Sequence, residues 1–205
     1  MLRRSFILLA AIALSACCLP CNAQNGYGQE ADRLASLLHW HPGSVVAEVG
    51  AGRGELTVDT AQRVGPSGKV YSNELDPQKL KALQQLATVH PNLVAVQGSE
   101  TNTNLPPGCC DSIFMRLVYH HLTQPGEIDA SLLRSLRPDG LLAVIDEVPE
   151  PGSSVPAGVP KNRQEHGIPQ NVLIDELTGA GFKVESIHKD WPNGLYCVIF
   201  SKAKP

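Results

Sequence analysis

The sequence lacks the features that define several other classes of protein. Its six cysteines divide equally between residues 1–23 and the rest of the chain, which is no even framework for disulfides. Basic residues form no clustered stripe, so no nucleic-acid partner is expected. Internal repeats and low-complexity tracts are also missing. The fold must therefore depend on a buried hydrophobic core.

The N-terminus lacks an apolar run long enough to span a bilayer. Residues 6–14 are apolar and follow two arginines, which predicts a secretory signal over residues 1–23. Two cleavage sites stay open: an ordinary signal peptidase site at Cys21-Asn22-Ala23, or a lipobox at residues 14–17 that would leave Cys17 lipidated. We expect an exported, periplasmic or membrane-anchored protein that meets the membrane only through this signal or a lipid. The alternative is an anchor that faces the cytoplasm.

Removal of the signal leaves about 180 of the 205 residues, enough for one domain, which we place at residues 29–203. The formal net charge then moves from −3 to about −5, because the two leader arginines are lost and no acid is lost with them. A second domain is not expected.

Strand and helix patterns alternate along this domain. Short apolar runs between helical periodicities predict a mainly parallel α/β sheet with helices on both faces. The tetrapeptide at 137–140 is predicted to be a turn, 149–160 an ordered irregular loop that covers a site, and 190–194 a hairpin-like connection between antiparallel strands. The predicted strands are 45–49, 69–73, 93–97, 112–117, 141–146, 183–188 and 195–201.

The first predicted strand runs into a glycine-rich stretch, Glu48-Val49-Gly50-Ala51-Gly52-Arg53-Gly54. Residues without side chains let the backbone turn sharply and let a ligand lie against it. The spacing Gly-x-Gly-x-Gly differs from the Gly-x-Gly-x-x-Gly that binds a dinucleotide pyrophosphate. Glu74 ends the second strand, where a carboxylate can accept hydrogen bonds from both hydroxyls of a ribose. These two elements predict a nucleoside site.

Together with residues 111–116, His120-His121-Leu122 and residues 136–141, this pattern resembles the class I S-adenosylmethionine-dependent methyltransferases, type 11/25-like, over nearly all of residues 29–203. The resemblance implies a doubly wound, Rossmann-like, mainly parallel seven-stranded sheet whose last strand is antiparallel. It also implies an enzyme that transfers a methyl group from S-adenosyl-L-methionine, and we expect a small-molecule acceptor.

The resemblance assigns residues to the donor. Where the family usually has an aspartate for the adenine amino group, this chain has Gly98-Ser99-Glu100, so Ser99 or Glu100 would supply the acceptor. Arg116 is a further candidate at the cofactor site and could meet an acidic acceptor. The remaining assignments are Gly50, Ala51, Gly52 and Gly54 along the methionine and ribose, Glu48 near the ammonium group, Glu74 at the ribose and Leu75 against the adenine.

Methyl transfer from a sulfonium depends mainly on alignment and the exclusion of water. A hydroxyl or protonated amine as acceptor would also need a base. The candidates are Tyr119, His120 and His121, with Glu147 and His166 also near strand ends, and the residues alone do not choose among them. Either adjacent histidine could equally be a packing or capping residue.

Three other interpretations were weighed. His39-Trp40-His41 and His120-His121 have no third ligand nearby in sequence, so no metal site is expected. A nicotinamide-dependent oxidoreductase would need its third glycine elsewhere and a Tyr-x-x-x-Lys pair. An exported, non-catalytic relative that binds a small ligand is the main alternative, because the methyl donor is a cytosolic metabolite.

Overall fold

The computed structural model describes residues 26–163 and 165–204. The predicted signal and both cleavage sites lie outside the described residues. None of the helices in the described ranges is both long and apolar enough to cross a membrane. The helices are α1 Gly26–Leu37, α2 Glu55–Val64, α3 Pro77–Val89, α4 Pro125–Ser135 and α5 Gln170–Gly179; the strands are β1 Val45–Val49, β2 Lys69–Glu74, β3 Leu93–Gln97, β4 Cys110–Arg116, β5 Leu136–Asp146, β6 Phe182–His188 and β7 Tyr196–Lys202.

The strands form a seven-stranded sheet in the order β3-β2-β1-β4-β5-β7-β6. Neighbours from β3 to β5 pair in parallel, whereas β7 runs antiparallel to both β5 and β6. The strand order reverses between β1 and β4, which opens a crevice at the carboxyl ends of these strands. The predicted fold class, including the antiparallel last strand, is confirmed.

Two hydrophobic cores lie on opposite faces of the sheet. Alternate residues of β1 serve different cores: Val46 packs with residues of α1 and α2, whereas Ala47 and Val49 pack with residues of α4 and α5. A strand buried on both faces reads as a continuous apolar run, which is why the sequence predicted β1 well. The three cysteines among the described residues are free thiols.

The sequence pair Asp76-Pro77 predicts a helix start, since an aspartate can cap free amides and a proline suits the first turn, and α3 begins there. The Asp76 carboxylate accepts hydrogen bonds from the backbone amides of Gln78 and Lys79, and Pro77 occupies the first turn. The predicted turn at 137–140 was wrong. These residues belong to β5. Cys110 and Ser112 of β4 pair with Leu136 and Leu141 of β5, so one residue of β4 lies opposite the four residues 137–140, which form a bulge.

Glu48 is a carboxyl group buried inside the core. Its side chain is 5% exposed and points toward α2, where the Thr57 hydroxyl donates a hydrogen bond to it. The Thr57 hydroxyl also lies 2.9 Å from that of Ser72. Burial raises the pKa of Glu48 to about 8, and the Thr57 hydrogen bond only partly opposes this. The carboxyl is therefore mainly protonated at neutral pH.

This pKa makes stability depend on pH. The folded state holds a proton that the unfolded chain releases near pH 4.5, so the free energy of unfolding falls as pH rises toward 8. The slope from this group is at most about 1.4 kcal/mol per pH unit. We expect Glu48→Gln to flatten the fall between pH 5.5 and 7.5 in urea denaturation. Glu127→Gln, on the exposed first turn of α4, should keep the wild-type slope, and equal slopes in all three proteins would contradict the assignment.

Candidate active site

A cavity of about 390 Å³ lies at the carboxyl ends of β1, β2, β3 and β4. This is the crevice where ligands of doubly wound sheets bind, and its volume lies within the range of small-molecule sites. It brings together residues that are distant in sequence. The predicted site residues that line it are Gly50, Glu74, Leu75, Ser99, Glu100, Arg116 and His121.

The glycine loop turns the chain sharply at the mouth of the cavity. Gly50 has a φ of +75°, and a Cβ there would overlap the Val118 side chain, so no other residue fits. Its N–H and that of Ala51 donate to the Asn73 carbonyl at 3.0 and 2.9 Å. A Cβ on Gly52, whose φ is +60°, would meet nothing within 4 Å. The loop therefore packs closely against the Val118 side chain at Gly50 and has free space beside it at Gly52.

Glu74 is held rigidly at the end of β2. Its side chain is only 7% exposed, and Oε1 accepts hydrogen bonds from the amides of Leu75 and Asp76 at 2.8 and 3.0 Å. Oε2 accepts from the Gly52 amide at 2.8 Å, which ties the glycine loop to β2. A carboxylate offers about four acceptor positions, so this arrangement leaves one free on Oε2. A ribose hydroxyl can bond there without displacing a backbone amide.

The β3 end of the cavity combines an apolar surface with polar groups. Leu75 is 51% exposed at the rim and offers a flat apolar contact for an aromatic ring. The Ser99 amide donates to the Asn102 carbonyl at 2.8 Å. Glu100 accepts from the Thr123 hydroxyl at 3.4 Å, which joins the two sides of the cavity. This end can therefore receive an adenine.

Four residues assigned to the donor do not line the cavity. Gly52 is one of them, although its amide bonds to the lining residue Glu74. Glu48 is buried against α2, Ala51 lies in the core, and a Cβ on Gly54 would meet Leu86 at 2.6 Å and Leu83 at 2.8 Å, so that glycine serves packing against α3. These residues support the loop rather than contact the cavity.

Arg116 lines the cavity and is paired on its other side. Its Nε lies 2.8 and 3.0 Å from the two carboxylate oxygens of Glu30 in α1. The Trp191 indole also donates to Glu30, at 2.7 Å, and the Arg116 guanidinium lies 5.4 Å from the centre of the Tyr27 ring. The apolar periodicity of the sequence predicts this helix over residues 29–38, whereas α1 begins three residues earlier, at Gly26, because Tyr27 is outside that periodicity.

The three candidate catalytic residues occupy different surroundings. Tyr119 is fully buried, and its hydroxyl donates to Asp129 at 2.9 Å and to Glu176 at 3.2 Å, away from the cavity. His120 is also buried, with Nδ1 2.5 Å from a carboxylate oxygen of Asp146. His121 alone of the three lines the cavity. Partial burial lowers the pKa of His121, and His120 and His166 lower it further.

His166 lies beside this histidine pair, which sequence spacing could not show. Its ring centre is 4.6 Å from that of His120 and 5.3 Å from that of His121. Backbone bonds hold it there: its carbonyl accepts from the Glu150 amide at 2.9 Å, and its amide donates to the Ser153 hydroxyl at 2.8 Å. The histidine pair has no third imidazole nearby in the sequence, but the fold brings the His166 ring next to it.

A buried arginine fixes the loop that carries His166. Arg163 is fully buried, and its two terminal nitrogens lie 2.6 and 2.9 Å from the two carboxylate oxygens of Glu176 in α5. Such a fork-to-fork pair is strong and directional. Sequence reasoning missed Arg163, because nothing in its neighbourhood distinguishes it from a surface arginine. Arg163 lies just after residues 149–160, the loop that the sequence predicted to cover a site.

Comparisons with known proteins agree with this geometry. A family model described as a methyltransferase domain matches residues 47–144, from β1 into β5. The nocamycin O-methyltransferase of Saccharothrix syringae is 29% identical over 208 residues, covering 80% of this chain and 74% of that enzyme. The ubiquinone/menaquinone biosynthesis C-methyltransferase UbiE of Pseudomonas paraeruginosa is 29% identical over 116 residues, which cover 55% of this chain and 45% of UbiE.

Solved structures show the same fold. A SAM-dependent methyltransferase from Aquifex aeolicus superposes with a TM-score of 0.69 at 21% identity, covering 83% of this chain and 88% of that protein. The glycine loop, the acid at the end of β2 and the family match confirm the predicted enzyme class and its methyl donor, S-adenosyl-L-methionine. The family match and the named relatives support the assignment of this chain to the class I S-adenosylmethionine-dependent methyltransferases.

Proposed function

We propose that this enzyme methylates a small-molecule acceptor, which approaches the donor from the β4 and β5 side of the cavity. The observation that carries the proposal is the order of the lining residues along the sheet edge: Ser99 follows β3, Glu74 ends β2, Gly50 follows β1 and His121 follows β4.

This order gives the donor a direction. With its adenine beside Leu75 and Ser99 and its ribose on Glu74, its amino-acid end passes Gly50. The sulfonium methyl then lies toward the residues after β4. These include His121, Leu122 and Thr123, and together they form the acceptor end of the cavity.

Transfer at that end needs alignment above all. A lone pair of the acceptor forms a bond to the methyl carbon while the carbon–sulfur bond breaks, and the electron pair of that bond returns to sulfur. The enzyme holds acceptor atom, methyl carbon and sulfur in line and keeps water away. Leu117, Val118 and Leu122 give this part of the cavity an apolar wall.

The cavity of about 390 Å³ has the size of a small-molecule site, and the donor would occupy most of it. The names of two relatives, a nocamycin O-methyltransferase and a ubiquinone/menaquinone biosynthesis C-methyltransferase, also refer to small organic molecules. The acceptor atoms in these names differ, so the fold does not fix the atom that is methylated.

We further propose that the chain is exported behind residues 1–23, on the sequence pattern described above. If the lipobox is used, the mature protein should fractionate with membranes, and Cys17→Ala should release it because the acylated thiol is lost. Cell fractionation with an antibody against the body measures this. A protein that stays in the cytosol would contradict export.

The ribose contact can be tested by binding. We expect Glu74→Ala to weaken S-adenosyl-L-methionine binding by about 1–3 kcal/mol, roughly 5- to 150-fold in Kd, because ribose and loop amides lose their acceptor. Isothermal titration calorimetry measures the change.

Asp76→Ala is the matched control. It removes the cap of α3 two residues away and keeps every backbone amide that bonds to Glu74. The Asp76 carboxylate does not line the cavity itself but caps the amide of the lining residue Lys79, so the variant should lower stability and change Kd much less than Glu74→Ala does. Glu74→Ala with wild-type affinity would remove this carboxylate from the donor site. Equal losses in both variants would assign the effect to local destabilisation.

The acceptor class can be tested with labelled donor. The purified enzyme, incubated with methyl-labelled S-adenosyl-L-methionine and a whole-cell extract that is fractionated afterwards, should transfer label to a low-mass product and release S-adenosylhomocysteine. Label found only in the protein or nucleic-acid fraction would overturn the small-molecule proposal. Gly50→Val should abolish transfer, because its side chain cannot avoid Val118.

A further inference from the structure

The three histidines at the acceptor end form a cluster with the geometry of a ligand set. His120, His121 and His166 can each offer one ring nitrogen such that all three nitrogens lie within 4.8 Å of one another. Two nitrogens bound to one tetrahedral ion at about 2.0–2.1 Å lie about 3.4 Å apart. Small rotations of the exposed His121 and half-buried His166 rings would close the difference.

His120 is the best-prepared ligand of the three. Its side chain is 2% exposed, and Nδ1 faces Asp146 at 2.5 Å, so the carboxylate holds the proton on Nδ1. Nε2 then carries no proton and has a free lone pair, and this nitrogen is buried without a hydrogen-bond partner. A buried acceptor without a partner is costly, and one aimed at two other imidazoles indicates a missing ligand.

Carboxylates support two of the three rings. Asp146 orients His120, and Glu147 Oε1 lies 2.9 Å from Nδ1 of His166 and 3.8 Å from Nε2 of His120. A carboxylate on the far nitrogen of a ligating imidazole fixes its tautomer and raises its basicity, as is usual in metal sites. Glu147 also supplies negative charge for a divalent cation.

We propose that His120, His121 and His166 bind a divalent transition-metal ion, with Glu147 beside it. Neutral imidazoles favour zinc, iron, nickel or copper over magnesium or calcium. Three protein ligands leave a coordination position open, as in catalytic rather than structural sites.

The position of the cluster gives the ion a role that rests on the proposed function. His121 lines the cavity at the acceptor end, so the open position faces the methyl group. An oxygen or sulfur acceptor bound there would give up its proton more easily, because the cation stabilises the anion, and the adjacent Glu147 carboxylate would take that proton. Its remaining lone pair then attacks the methyl carbon, and the sulfonium leaves as a thioether. The acceptor class is therefore an alcohol, phenol or thiol.

Metal binding is tested without the donor. The metal-free protein, dialysed against Zn²⁺ or Co²⁺, should bind one equivalent by elemental analysis, and Co²⁺ should show visible absorption of a nitrogen-ligated site. His121→Ala and His166→Ala should each weaken binding at least tenfold. His90→Ala is the matched control, because His90 lies between α3 and the start of β3, away from the carboxyl ends of β4 and β5 where the cluster lies, and it should leave affinity unchanged.

His120→Ala is not needed for this test, since removing a buried side chain risks the fold. No bound ion in the wild-type protein, or an affinity that both histidine variants leave unchanged, would overturn the proposal. Donor binding to the metal-free protein is measured separately. If the protein binds the donor but no metal, the metal site is refuted and the proposed function is not. If it binds metal but transfers no methyl group to any acceptor, the proposed function is refuted and the metal site is not.

Discussion

The site depends on the register with which β1 pairs with its two neighbours. Val49 lies opposite Asn73 of β2 and Met115 of β4, so the next residue of each strand reaches the sheet edge at the same level. Those residues are Gly50, Glu74 and Arg116, and all three line the cavity. A slip of one residue would turn each side chain to the other face of the sheet. Register therefore converts three separated segments into one binding surface.

The sequence predicted the parts that follow from local chemistry and periodicity. The apolar runs of β1 and β3 gave both strands their correct bounds, and the Asp76-Pro77 pair gave the start of α3. The bulge at 137–140 was missed, because its residues favour a turn locally, and only the pairing of Leu136 and Leu141 with β4 on either side keeps the segment within β5. Tertiary pairing overrode local turn propensity there.

The positions of the side chains could be predicted from the sequence less fully than the strand order. The sequence put Glu74 at a strand end, but its hydrogen bonds to three backbone amides depend on where the glycine loop lies. Tyr119 and His121 are neighbours in sequence, yet a short 3-10 helix turns one into the core and the other toward the cavity. His166 reached the site through a loop whose course is set by Arg163 and Glu176, and neither carries a sequence signal.

The two ends of the cavity are consequently built in different ways. Glycine-loop amides and strand ends form the donor end, so its geometry follows from the sheet itself. The proposed acceptor end depends on the loop that follows Asp146, the last residue of β5. This loop starts at Glu147 and returns to place Nδ1 of His166 2.9 Å from Oε1 of Glu147. That loop is held by backbone bonds at its base, where the Ile168 amide donates to the Glu147 carbonyl, and by the buried Arg163 pair. Because side chains rather than the sheet fix this end, substitutions in the loop can change the acceptor while the donor site stays intact.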